Sequence, residues 1–452
     1  ATVISVIWRL SFPHDLIVTG KEADFPHPQF KEELSSDVLT RMNVAAEDGP
    51  EDQQQLAFAA IWAGLFLGTA AILAVVVLVA VNLRLALSSL PAVATLIQDE
   101  TGWSDAFIGA LTTVPVLGMG VFALGVPRLA GRIGRRSAVS LALVAMAAGL
   151  TLRLAGAVAV TLLLSAMLAG LSIAILGGLV PGIVRERLSN SMGLATSLWT
   201  AAMMGGAALG AALTLPLSDL TGGWNRALAF WALPAVAALV AWLWLERDQQ
   251  ASVATVTIVR LRDLPWRDST AWALTAFMSV NSVVFYSMLA WTALSYAERG
   301  YTPETAGLFF GIFTGSGIIA ALTLPAWSHR TQRRRTLFTA TVVGCSASLV
   351  AIALVPTFAP PLILVALSFT LSGGFAMSLG LLSECAADAA GSARLTAMAF
   401  TITHTLSAFS PFVMGAIMDA VNSWTLVFSL LAIIALLQMP AVFFLRRGRL
   451  VK

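Results

Sequence analysis

Twelve apolar runs, each close to the length that crosses a hydrocarbon core, follow one another from about residue 65 to residue 445 with only short polar breaks. A helix needs about 20 such residues to span that core. In lipid the backbone must satisfy its own hydrogen bonds, which leaves helices or closed barrels, and runs of this length select helices. They lie near 65–97, 105–127, 137–156, 159–184, 191–217 and 226–245, then near 271–296, 304–326, 337–356, 360–384, 393–418 and 423–445. Composition agrees: 58% of residues are hydrophobic and 11% charged, whereas soluble domains carry about 25% charged residues. The fold class expected is an all-α membrane protein with 12 transmembrane helices.

The runs divide into two sets of six around a polar stretch, Glu246 to Ser269, that holds four acids and four arginines. The two sets resemble copies. VPRLAGRIGRR (126–136) ends the second run of the first set and LPAWSHRTQRR (324–334) ends the second run of the other. Pro325 follows Pro127 by 198 residues, and Arg330, Arg333 and Arg334 follow Arg132, Arg135 and Arg136 by the same interval. Two pseudo-symmetric six-helix bundles are a common transporter plan. The domains expected are a tail over 1–61, a bundle over 62–245, a linker over 246–270 and a second bundle over 271–452. The tail reads as polar, acidic and disordered, with Met42 a candidate start for a shorter chain.

Arginine placement sets the expected orientation. With the N-terminus in the cytoplasm, the inside loops hold Arg128, Arg132, Arg135, Arg136, Arg185, Arg187, Arg330, Arg333, Arg334 and Arg335, followed by the basic C-terminus. The outside loops hold Arg153, Arg226 and Arg299. Both termini and the linker are therefore expected on the cytoplasmic side of a cell membrane.

Several function classes lack their residues. Lysine occurs only at 21, 31 and 452, so no Gly-Lys-Ser/Thr phosphate loop exists in the body of the chain. No His-Glu-x-x-His, Cys-x-x-Cys or serine nucleophile elbow appears, and carboxylates and histidines are nearly missing from the runs. Neither an enzyme nor a bound cofactor or metal is expected. No basic aromatic stripe marks a nucleic-acid partner. Cys345 and Cys385 read as free, buried thiols.

Polar residues inside the runs are the candidate site. Arg84 is the one clear charge at mid-run, and a central arginine costs about 2.5–3.5 kcal/mol on insertion scales. It is expected to face the bundle interior or a wet cavity, where its planar fork suits an anion or a strongly dipolar solute. No carboxylate stands out as its partner, so the solute itself is expected to complete it. Asn82, Asn281, Tyr286, His404 and Trp199 are the further candidate contacts. Asn82 lies about 200° from Arg84 around an ideal helix. His404, the only histidine deep in a run, is also the candidate for proton coupling.

The two six-helix halves, each with an arginine-rich loop after its second helix, resemble the major facilitator superfamily. RLAGRIGRR is similar to that family's Gly-x-x-x-Asp-Arg-x-Gly-Arg-Arg motif. Arg132, Gly134, Arg135 and Arg136 match it, while Pro127 stands at the first Gly and Gly131 at the Asp. Within the superfamily the likeness is to the cyanate and 2-nitroimidazole transporter branch, carried by VNLRLALSSLP (81–91), GALTTVPVLGMG (109–120), LWTAAMMGGAALGAAL (198–213), FYSMLAW (285–291) and RLTAMAFTITHTLSAFSPFVMG (394–415). Asn281 and His404 depart from the Gln and Tyr expected nearby in such proteins. The resemblance implies alternating access between two bundles, with Arg84 the leading solute contact and Arg132, Gly134, Arg135, Arg136 and Arg330 in gating loops. The expectation is a secondary transporter of a small polar or anionic solute, using no cofactor, embedded in lipid and sufficient as a monomer, with protons a candidate coupling ion. The alternatives are a broad-range drug exporter of the same fold and a non-transporting membrane sensor.

Overall fold

The computed structural model describes residues 51–123, 125–187, 192–247, 261–331, 334–386 and 389–444. Twelve helices among them are long and apolar enough to cross a membrane. Spans 1 to 6 are Thr69–Thr101, Asp105–Ala123, Arg135–Ala155, Ala159–Val184, Leu198–Thr221 and Trp224–Leu245. Spans 7 to 12 are Ser269–Glu298, Pro303–Ser328, Arg334–Leu354, Pro360–Leu382, Gly391–Val421 and Trp424–Phe444. No β-strand occurs among the described residues. The two pseudo-symmetric six-helix bundles are those expected from the sequence.

By compactness the body is one unit, residues 75–187 and 193–452, and residues 1–74 with 188–192 form another. The helix that carries span 1 begins at Glu51. Residues 51–61, assigned to the tail from sequence, are therefore helical, because good helix formers such as Gln53–Gln55 and Ala57 run without a breaker into the apolar stretch. The rest of the tail, residues 1–50, and most of the linker, residues 248–260, lie outside the described residues.

The 198-residue interval extends to the opposite end of the bundles, where Glu100-Thr-Gly-Trp is matched by Glu298-Arg-Gly-Tyr. Gly102 and Gly300 end spans 1 and 7 with φ of 67° and 92°, the left-handed geometry that closes a helix at little cost only for glycine. Two residues on, the hydroxyls of Ser104 and Thr302 accept from the backbone N–H three positions ahead, each at 3.3 Å, and so start spans 2 and 8. Trp224 Nε1 donates to Glu100 at 2.5 Å, and Trp424 Nε1 donates to Glu298 at 2.7 Å. Each half thus ties its first helix to its sixth with an indole–carboxylate bond.

The other end is tied by ion pairs. Arg135 meets Glu186 at 2.7 Å and Arg334 meets Glu384 at 2.5 Å, equivalent within one residue. Arg187 pairs with Glu246, where both side chains are largely buried. Gly134, at φ 80°, turns the chain between the short helix Val126–Ile133 and span 3, while Arg132 and Arg330 are exposed. Arg136 offers its backbone carbonyl to Trp242 Nε1.

One arginine departs from the sequence expectation. Arg153, assigned to an outside loop, is 2% exposed and belongs to the last turn of span 3. Three acceptors reached from that turn hold it inside the protein, as described further below.

Span 7 is the interior helix, with 78% of its apolar window buried against 33–56% in the other spans. Elsewhere, glycines bring spans 1 and 5 together by backbone approach. A Cβ on Gly206 of span 5 would come within 2.2 Å of the Val81 carbonyl oxygen in span 1, whereas one on adjacent Gly205 would meet nothing. Gly206→Ala should therefore destabilise the protein by about 1–3 kcal/mol through overpacking. Gly205→Ala should leave stability level or slightly raised, since it only improves helix propensity. Thermal unfolding of the two detergent-purified variants checks this, and equal melting temperatures would refute the close approach.

Candidate functional site

Arg84 lies in span 1, four residues before the helix breaks. The helix Glu51–Ser88 gives way to a turn and a short 3-10 segment at Pro91–Val93, because Pro91 has no N–H to continue the ladder. Behind it, Gly206 and Gly210 of span 5 press on the backbone around Val81 and Leu85, which fixes how span 1 is turned. Its guanidinium carbon sits 5.5 Å from the Phe285 ring centroid and 5.9 Å from that of Tyr286, both on span 7. Arg84 Nε and Nη1 are buried and have no hydrogen-bond partner among the described residues. The cation is therefore held by two aromatic faces, worth about 0.5–2 kcal/mol each, with donors left over.

The aromatic cluster continues across span 11. The Tyr286 ring stands edge-on to His404 at 6.2 Å, and Phe400 stacks on His404 at 5.4 Å. His404 Nδ1 lies 2.8 Å from the Phe400 carbonyl oxygen, one helical turn back, which favours the tautomer with the proton on Nδ1 and leaves Nε2 as acceptor. Phe313 of span 8 adds a ring 6.0 Å from Phe285. Of the six contacts expected from sequence, Arg84, Tyr286 and His404 come together in this way.

The other three are placed differently. Asn82 is fully buried and donates to the carbonyls of Leu78 at 2.7 Å and Pro234 at 3.1 Å, tying span 1 to span 6. Two residues before Arg84, it points the other way, as helical geometry requires. Asn281 donates to the Leu371 carbonyl at 3.2 Å, tying span 7 to span 10. Trp199 is half-buried on span 5 and belongs to none of the ring pairs found among the described residues. Sequence reasoning missed Phe285, Phe313 and Phe400. Phe400 lies one turn before His404, so helical spacing was the available signal there; Phe285, adjacent to Tyr286, offered no such spacing.

No group of described histidines, cysteines or carboxylates can hold a metal ion. Cys345 and Cys385 are both free and buried. Burial pushes the Cys385 thiol above its usual range, which suits an unreactive residue.

An uncompensated cation in such surroundings is destabilising to the fold, because the cost of taking it out of water is not returned by a partner. Arg84→Met should accordingly raise the melting temperature of the detergent-solubilised protein. A lower melting temperature would mean that Arg84 is a structural anchor and would argue against a ligand-binding role.

Residues 72–407 match the family model described as Major Facilitator Superfamily. The chain is 28% identical over 381 residues to the 2-nitroimidazole transporter of Escherichia coli (strain K12), covering 84% of this chain and 95% of that one. It is 30% identical over 273 residues to the cyanate transport protein CynX of the same organism, covering 60% of this chain and 70% of the relative. In three dimensions it is similar to a crystal structure of the nucleoside transporter NupG, with TM-score 0.68, 15% identity, and coverage of 83% and 100%.

Proposed function

The chain belongs to the Major Facilitator Superfamily, and from that premise we propose that it carries a small anion or compact polar heterocycle across a cell membrane by alternating access, with Arg84 as the central solute contact. The observation that carries the reading is the Arg84 guanidinium, buried at Nε and Nη1 without an acceptor among the described residues and facing Phe285 and Tyr286. A buried polar group left unpaired costs roughly 1–3 kcal/mol, more when it is charged. A bound carboxylate-like, cyanate-like or nitro group would return that energy through charge-assisted hydrogen bonds. The flanking rings would stack on a flat solute such as a nitroimidazole, and the open donors would suit an anion such as cyanate, the solutes named for the two relatives.

His404 is the proposed titratable group for proton coupling, since it lies beside Tyr286 in the same cluster. Arg132, Gly134, Arg135, Arg136 and Arg330 are the proposed gating elements at the basic end. The arginine-rich loops place that end, with both termini, in the cytoplasm on this reading. One chain supplies both bundles, so a monomer suffices.

Proteoliposomes bearing the full chain test the proposal by uptake and counterflow of radiolabelled cyanate and 2-nitroimidazole. Saturable cyanate uptake that falls at least about 100-fold in Arg84→Ala is the expected result, since losing a charge-assisted contact costs about 3 kcal/mol. Movement of 2-nitroimidazole alone, equal in both proteins, would overturn the role of Arg84 and favour a broad-range exporter. In the native chain, an inward proton gradient should accelerate uptake, and His404→Gln should abolish that acceleration. Gradient-driven uptake that survives His404→Gln would remove His404 from coupling.

A further inference from the structure

Arg153 has no part in the solute contacts above, and its setting is unlike that of any other outside-facing arginine. Only 2% of it is exposed. Its Nε donates to Ser165 Oγ of span 4 at 2.9 Å, its Nη1 to Ser89 Oγ at 3.0 Å and its Nη2 to the Ala86 carbonyl at 3.0 Å. All three acceptors are neutral, and no carboxylate pairs with Arg153 among the described residues. Arginine does not lose its proton in proteins, so a full positive charge stays inside the first bundle.

Two of the three acceptors belong to the end of the helix that carries Arg84. Ala86 and Ser89 follow Arg84 by two and five residues, at the point where Pro91 interrupts the helix. The Ala86 carbonyl is one of the orphan acceptors left at a helix C-terminus, where a cation is favourable both as donor and against the helix dipole. Arg153 therefore caps that helix from span 3. It also puts a second charge behind Arg84, at a separation on the order of 10 Å set by helix dimensions. At an effective dielectric constant of about 20, one unit charge at that distance changes the occupancy of a monoanion site roughly tenfold.

We propose that Arg153 is a specificity-determining positioning residue of the transport site: it fixes the end of the Arg84 helix and, with Arg84, makes the site select a monoanion over an uncharged solute of similar size. The proposal rests on the reading of Arg84 as the solute contact. It adds that the selecting charge at the site is not Arg84 alone.

The field of Arg153 is measurable without any transported substrate. In the full chain carrying Arg84→Cys, Cys345→Ala and Cys385→Ala, the introduced thiol is alkylated with iodoacetate, an anion, or iodoacetamide, its uncharged counterpart. Adding Arg153→Gln should lower the iodoacetate-to-iodoacetamide rate ratio about tenfold, and adding Arg153→Lys, which keeps the charge, should leave the ratio within about threefold. A merely structural role would change both rates together and leave the ratio fixed, which overturns the proposal. A thiol that neither reagent reaches overturns the proposal and the solute-contact reading together. Cyanate uptake separates the two remaining failures. A native chain that does not transport cyanate, with the ratio still falling, sinks the proposed substrate class and keeps the role of Arg153. Saturable cyanate uptake with an unchanged ratio does the reverse. Arg153→Met, also uncharged, carries the same expected tenfold fall and covers the case in which Arg153→Gln does not fold.

Discussion

Two guanidinium groups sit among apolar helices in the first bundle, and among the described residues neither is matched by a carboxylate. Transfer of a bare charge out of water is costly enough that most proteins pair it or expel it. The two sites meet that cost in different ways. Arg153 is surrounded by neutral oxygens that use both arms of its fork and its Nε. Arg84 is given aromatic faces, which attract a cation without accepting hydrogen bonds, so its donors remain available. The one arrangement is complete as it stands; on the proposed reading the other is completed by a ligand that brings its own acceptors.

Local backbone chemistry repeats across the halves with more fidelity than side-chain packing does. The glycine closures at 102 and 300, the hydroxyl caps at 104 and 302, and the indole–carboxylate ties from 224 and 424 all recur. These positions need a particular φ or a particular donor, so few residues serve. The buried arginine near this end is handled differently. In the first half, Arg153 of span 3 donates to the Ala86 carbonyl of span 1, while in the second half Arg299, following span 7, donates to the Ile352 carbonyl of span 9. Burial holds the Arg299 guanidinium below its ordinary range. The same helix pair is bridged in both halves with donor and acceptor exchanged. Symmetry is kept at the level of which helices must be joined, and relaxed in which residue joins them.

The apolar runs and their count were legible because the bilayer imposes a length that no soluble fold demands. Arg84 was legible because a mid-run charge has few explanations. The roles of Asn82 and Asn281 were not, since an amide in an apolar run reads equally as a solute contact or as an interhelical tie, and its orientation decides. Arg153 was hidden by its position: a scan for basic loops counts an arginine at the end of a run as outside, although the last turn can carry its side chain back between helices. The Glu-x-Gly-aromatic repeat lay in the sequence at the same interval as the basic loops. It was passed over because it falls at helix ends, where apolar periodicity gives no signal. The aromatic cradle around Arg84 joins spans 1, 7 and 11, and no single run contains enough of it to be recognised.

The contacts between the two halves fit a seam that separates at modest cost. Asp419 at the end of span 11 accepts from the backbone N–H groups of Asp105 and Ala106 at 2.9 Å each, capping span 2 from the opposite half. Beneath it, Gly109 of span 2 lies against the Pro411 carbonyl, and Gly311 of span 8 lies against Ala212 of span 5. Small residues let these backbones approach without interlocking side chains, so relative motion does not force a core to repack. Two exposed hydrogen bonds to a carboxylate contribute at most about 3–6 kcal/mol in net terms, the same order as the gap of a few kcal/mol between two conformations that both remain populated. Satisfying the open donors of Arg84 is worth a similar amount. On the proposed cycle, a ligand at that guanidinium therefore supplies energy of the same order as the two Asp419 bonds that cross this seam.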